Sequence, residues 1–212
     1  RRTRSETPQE RAAAVLADLA KSGENKTTIV GAGGVNPLVA MLSSESPEAQ
    51  THAAGALWQL AALGSNKKTI ADSGAIPPLV ALLKEGLTDA QRFATGALWH
   101  LASSADNKIA MVTAGAIPPL VKALEAKNAE AREHAAAVIS TFAREKEAVV
   151  KEGGTKKSIV AAGGIKPLIH LLSEKSIATQ KHAACALWGL ATDGHKESIY
   201  NEKIVRENAI AP

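Results

Sequence analysis

The chain has 212 residues, 45% of them hydrophobic and 22% charged, with a formal net charge of +4 at pH 7. That is enough apolar material for a sizeable core; no apolar run is long enough to span a membrane, and the charge is too mild for a nucleic-acid footprint. One cysteine, Cys185, excludes an intrachain disulfide framework.

The basic start, Arg1-Arg2-Thr3-Arg4-Ser5, has no apolar stretch behind it and is not a signal peptide. An intracellular, cytoplasmic setting is expected. Residues 1–23 hold one helix, Ala12-Ala13-Ala14-Val15-Leu16-Ala17-Asp18-Leu19-Ala20. The same pattern returns as Ala53-Ala54-Gly55-Ala56-Leu57-Trp58-Gln59-Leu60-Ala61 and as Ala94-Thr95-Gly96-Ala97-Leu98-Trp99-His100-Leu101-Ala102. It appears twice more, over 135–143 and over 183–191, where Trp188 stands in register with Trp58. The steps are 41, 41, 41 and 48 residues, and a fixed period of this size marks a repeat array.

Between these helices the chain follows a fixed order. A short first helix, such as 66–73, runs into a joint: Gly33-Gly34-Val35-Asn36-Pro37, Gly74-Ala75-Ile76-Pro77-Pro78, Gly115-Ala116-Ile117-Pro118-Pro119 and Gly163-Gly164-Ile165-Lys166-Pro167. Gly ends a helix by taking φ > 0, and Pro at the first position of the next helix needs no partner for its missing N–H. A second helix follows each joint. Ser46, Asn128 and Ser176 then stand in register as N-caps of the third helix, with Pro47 at its first position. Thr88 with Gln91 is the candidate capping box. The complete units are 24–64, 65–105, 106–145 and 155–193, with a charged insertion at 146–154. Residues 1–23 and 194–212 are partial units. A bare terminal layer exposes its apolar face, so the chain is expected to belong to a longer protein or a larger complex that covers its ends.

Three helices per unit, with the Gly-Ala-Ile-Pro-Pro joint and the Ala-Leu-Trp-x-Leu-Ala third helix, resemble the armadillo repeat over almost the whole chain. The resemblance implies an all-α fold, a right-handed α-solenoid of three-helix repeats, whose third helices line a concave groove. On a wheel of about 100° per residue, Leu57, Leu60, Ala53 and Ala61 share the core face, with Gly55 and Gln59 opposite and His52 close by. The groove row in register is Ala14, Gly55, Gly96, Ala137 and Cys185. One turn on it reads Asp18, Gln59, His100, Thr141 and Gly189; one turn earlier, Arg11, His52, Phe93, His134 and His182. In importin-α-like cargo receptors a groove Trp and a groove Asn recur four residues apart, and the Asn side chains bind peptide backbone. Here the Trp slots hold Gly, Ala or Cys and no Asn fills the Asn slots, so the resemblance carries the fold without that ladder.

Trp58, Trp99 and Trp188 point about 100° off the groove centre, either into the packing between layers or along the groove edge as anchors for a partner. Gly55 and Gly96 make a low groove floor that a partner's main chain can approach. The candidate binding residues are therefore His52, Gly55, Trp58, Gln59, Phe93, Gly96, Trp99, His100, His134, Thr141, His182 and Trp188. The histidines lie on layers about 9 Å apart, too sparse for ligands about 2 Å from one ion. Gly31-Ala32-Gly33-Gly34 and Gly153-Gly154-Thr155-Lys156-Lys157-Ser158 fail the dinucleotide and P-loop patterns. No catalytic residue, metal or cofactor is expected. The expected function is a non-catalytic interaction scaffold that holds a protein or extended peptide, acidic ones included, along the groove. The alternative is a structural subunit bracing a larger assembly.

Overall fold

The computed structural model describes residues 7–86, 88–144 and 154–192. Among these, thirteen α-helices and no strand are present. The chain divides into two compact units, Arg1–Leu101 and Ala102–Pro212. All of the expected insertion but its last residue, and the partial unit expected from residue 194, lie outside the described residues.

The first unit holds α1 (Pro8–Leu19), α2 (Gly23–Gly31), α3 (Val35–Met41), α4 (Pro47–Ala61), α5 (Asn66–Asp72), α6 (Ile76–Glu85) and α7 (Thr88–Leu101). The long helix α4 packs against α1 on one side and α7 on the other. Leu38, Leu57, Leu60, Ile70, Leu79, Leu98 and Leu101 are fully buried there, each burial stabilising the fold by about 1.5–3 kcal/mol. The alanines let the helices approach: Ala53, Ala54, Ala56, Ala94 and Ala97 have no exposed surface.

The second unit holds α8 (Ala105–Thr113), α9 (Ile117–Ala123), α10 (Ala129–Ala143), α11 (Gly154–Ala161), α12 (Ile165–Leu171) and α13 (Ile177–Ala191). Its core is Met111, Leu120, Leu124, Phe142, Leu168 and Leu171, and α13 packs along α10. The approach is close. A Cβ at Gly189 would lie 2.7 Å from the Ala143 carbonyl oxygen, so no larger residue fits there without moving the backbone.

Gly33, Gly74, Gly115 and Gly163 have φ of 78°, 76°, 75° and 82°. The residue after the joint glycine donates back to a carbonyl of the first helix, as from Gly34 to Ile29 (2.9 Å) and from Ala116 to Met111 (3.0 Å). The second helix starts slightly earlier than the prolines suggest. α6 begins at Ile76 and α12 at Ile165, so Pro77, Pro78 and Pro167 sit inside the first turn, where N–H groups have no intrahelical partner.

Ser46, Asn128 and Ser176 cap α4, α10 and α13 through side-chain oxygens that accept from the N–H of Ala49, Ala131 and Thr179. The capping box is found at the start of α1, not at Thr88 and Gln91. Glu10 N–H donates to Thr7 Oγ1 (3.2 Å) and Thr7 N–H to Glu10 Oε2 (2.8 Å). Thr88 lies within α7 as its first residue, and the Gln91 amide donates to the Leu83 carbonyl.

Two of the caps also tie layer to layer. Ser46 Oγ donates to the Glu10 carboxylate of α1, and Ser176 Oγ (2.8 Å) and Thr179 Oγ1 (3.3 Å) donate to Glu133 of α10. Asn66 reaches back in the same way, its amide donating to the carbonyls of Leu60 (3.1 Å) and Lys26 (3.3 Å).

Candidate partner-binding groove

In the first unit, α1 and α4 leave a concave dent of about 180 Å³, lined by Ala14, Ala17, Asp18, Lys21, Thr51, His52, Gly55, Gln59 and Phe93. Four of the sequence-derived candidates, His52, Gly55, Gln59 and Phe93, thus meet at one place, joined by Asp18 from the neighbouring helix. Lys21 and Thr51 were not among the candidates. Lys21 follows Asp18 by three residues, a spacing that brings side chains together on a helix, and its Nζ lies 2.6 Å from Asp18 Oδ1. That hydrogen bond, then the Lys21 charge, and to a lesser degree His52, hold the Asp18 carboxyl below its ordinary pKa. The Thr51 hydroxyl donates to the Pro47 carbonyl (2.7 Å), leaving the Gln59 amide and the His52 imidazole as partly exposed polar groups of the dent. A flanking concavity of about 400 Å³ adds Glu48, Thr88 and Asp89 beside Thr51 and His52.

The two groove glycines do not leave an open floor. A Cβ at Gly96 would come within 2.6 Å of Trp58 Nε1, and one at Gly55 within 3.5 Å of the Phe93 ring. At Gly96 the space of the missing side chain is filled by the Trp58 ring, whereas at Gly55 the Phe93 ring lies at ordinary contact distance beyond it. Trp58 and Phe93 lie 5.6 Å apart between ring centroids, and the Arg92 guanidinium sits 4.0 Å from the Phe93 centroid and 6.0 Å from that of Trp58. Such cation–π contacts contribute roughly 0.5–1 kcal/mol at partly exposed sites. Trp58 is therefore a packing residue between α4 and α7 that stays partly exposed. Gly96 is buried beneath it. Trp99 is partly exposed and stacks on His100 at 4.7 Å.

The second unit places its candidates differently. His134 is only 4% exposed, on a helix against which α9, α11 and α13 pack, so it presents no surface to a partner. Thr141 is partly exposed, with its hydroxyl donating to the Val138 carbonyl (2.7 Å). His182 is partly exposed; burial pushes its pKa below the ordinary value, with Glu133 opposing and Lys181 adding to the shift. Trp188 is 62% exposed.

A larger concavity, about 440 Å³, lies off the third-helix row, with Leu124, Lys166, Pro167 and His170 among its walls and Arg132 and Glu174 in contact at 2.8 Å. Arg132 stands where the other units have a glutamine. Gln50 and Gln180 donate to the carbonyls of Ser44 and Glu174, and Arg132 makes the same bond to Ala126 (2.8 Å) while its second arm reaches Glu174. The ion pair is an elaboration of that repeat-closing bond. Among the described residues no group of three or more His, Cys, Asp or Glu could hold a metal ion, and no helix is long and apolar enough to cross a membrane.

The armadillo/β-catenin-like repeat family model matches residues 24–62, 65–103, 104–144 and 154–192. No curated protein matches the sequence significantly. Among solved structures, computationally designed armadillo repeat proteins for modular peptide recognition are 25% identical, with a TM-score of 0.81 over 99% of this chain and 85% of theirs. An engineered protein is 32% identical, with a TM-score of 0.77 over 97% of this chain and 81% of its own. A designed armadillo repeat protein in complex with the peptide (KR)4 is 27% identical, with a TM-score of 0.74 over 94% and 81% of the two chains. The fold class is the one expected from the repeat pattern, an all-α solenoid.

Proposed function

The chain belongs to the armadillo/β-catenin-like repeat family, and on that premise we propose that it is a non-catalytic scaffold which binds an extended segment of a partner protein along its third helices. The observation that carries this reading is the dent between α1 and α4, where His52, Gly55, Gln59 and Phe93 converge with Asp18. A carboxamide donates and accepts at once, so Gln59 suits a peptide main chain, which offers both partners at each residue. The lining carries both signs, Lys21 and Asp18 in the dent and Glu48 and Asp89 in the flanking concavity. Shape and main-chain contacts, more than net charge, then select the partner, and an acidic partner has no special claim. The similarity to designed proteins made for peptide recognition, one of them bound to a peptide, supports the same reading.

A display library of extended peptides, selected against the chain, tests it. Selected peptides are expected to lose about tenfold in affinity, about 1.4 kcal/mol, on Gln59→Ala or His52→Ala. If selection yields no ligand, or its ligands bind both variants unchanged, the dent is not the site. The second reading, a subunit bracing a larger assembly, draws on exposed apolar side chains on α1 and α13.

A further inference from the structure

We propose that the concavity formed by the end of α9 and by α12 is a second docking site, which takes a segment of a partner protein carrying both an acidic and a basic side chain. The concavity measures about 440 Å³ and lies wholly within the second unit. At one place in its lining, Arg132 and Glu174 meet at 2.8 Å and satisfy each other. Three further polar groups line it and are exposed: Glu125 just beyond α9, and Lys166 and His170 on α12. Among the described residues, none of these three side chains enters a salt bridge or a hydrogen bond.

The repeat does not itself require these groups. In register, Glu125, Lys166 and His170 correspond to Ser43, Pro77 and Ala81 of the first unit. There α3 and α6 form the same part of the fold without a charge at any of the three positions. The polar set is therefore particular to the second unit, and it gathers around a concavity.

Lys166 and His170 are four residues apart, so they are neighbours on one face of α12. An ammonium and an imidazole N–H both donate, and a carboxylate accepts from two donors at once. Glu125, an acceptor when ionised, calls for an ammonium or a guanidinium. A partner of one sign would meet like charge at one of these groups, whereas a partner of both signs satisfies all three. A single exposed ion pair contributes little, so a free ion would be held weakly. A protein segment that meets both signs and fills the concavity between them combines several such contacts.

Selection of a random-peptide display library against the 212-residue chain tests this, with all binders to the Lys166→Glu chain removed beforehand. Ligands of the third-helix groove bind both chains and are discarded at that step. The surviving peptides are expected to carry an acid and a base together. Their affinity should fall by about tenfold or more on Lys166→Glu and again on Glu125→Lys, because each substitution sets like charge against like. Gln59→Ala should leave it unchanged, which separates this site from the groove. A chain with both reversals, Glu125→Lys and Lys166→Glu, should bind the same peptides once their acid and base are exchanged, and that recovery also shows that the variants are folded. No surviving peptide, peptides with acids alone, binding indifferent to Glu125→Lys, binding lost on Gln59→Ala, or no recovery in the doubly reversed chain would each overturn the proposal.

Discussion

Gly96 and Gly55 occupy the same register position, yet they answer differently to a methyl group. At Gly96 the added Cβ would lie 2.6–2.9 Å from three atoms of the Trp58 indole, so Gly96→Ala must displace the ring. Its expected cost is about 1–3 kcal/mol, read in urea unfolding together with a shift in tryptophan emission. At Gly55 the Cβ meets the Phe93 ring at 3.5 Å, an ordinary contact. Gly55→Ala also removes the entropic cost of glycine within a helix, and a gain of about 0.5–1 kcal/mol is expected. Equal effects from the two substitutions would sink this packing account. His182 makes a residue-scale prediction of another kind. Burial lowers its pKa from an ordinary value of 6.5, so the unfolded chain takes up the proton more readily than the folded one. Stability is flat above that value and falls as pH drops through it toward the lowered folded pKa. Melting temperature should decline between about pH 7 and pH 5, and His182→Gln should reduce the decline.

Between elements, the N-cap serines do more than start a helix. Ser46 caps α4 and also satisfies Glu10, which is 3% exposed. Ser46→Ala removes the cap, at about 0.5–2 kcal/mol, and leaves a buried carboxylate without one of its donors, a further 1–3 kcal/mol or so. Ser22 provides the control: it precedes α2 as N-cap but makes no side-chain cap bond, so Ser22→Ala should change stability by less than about 0.5 kcal/mol. Thermal melts of the two variants decide whether the interlayer role is real. Arg132 separates its two functions in the same manner. Arg132→Gln keeps the bond to Ala126 and loses the reach to Glu174, and a cost under about 1 kcal/mol is expected. Arg132→Leu loses both and should cost clearly more in the same melt.

For the molecule as a whole, a solenoid's stability is the sum of its layers and of the contacts between adjacent layers. Within the first unit α4 touches both α1 and α7. Leu57 is fully buried in α4, and Leu57→Ala should cost about 2–5 kcal/mol. Native-state hydrogen exchange should then show lost protection in α4, α1 and α7, with the α10–α13 pair retaining its own. A uniform loss through both units would show that stability is not carried layer by layer.

The period, the helix order and the joints were all legible in the residues, because each rests on local chemistry: glycine at positive φ, proline in a first turn, a serine before a helix. The convergence of His52, Gly55 and Gln59 could be read from one helix wheel, since all three lie on one helix face. What lies over that face could not. Whether Gly96 is an open floor or a seat for Trp58 depends on the adjacent layer, and so does the burial of His134 within the packing on α10. The Glu10–Ser46 bond joins residues 36 apart in sequence. A helix wheel carries no information about the neighbouring helix, and only close packing between layers sets the Trp58 ring against Gly96.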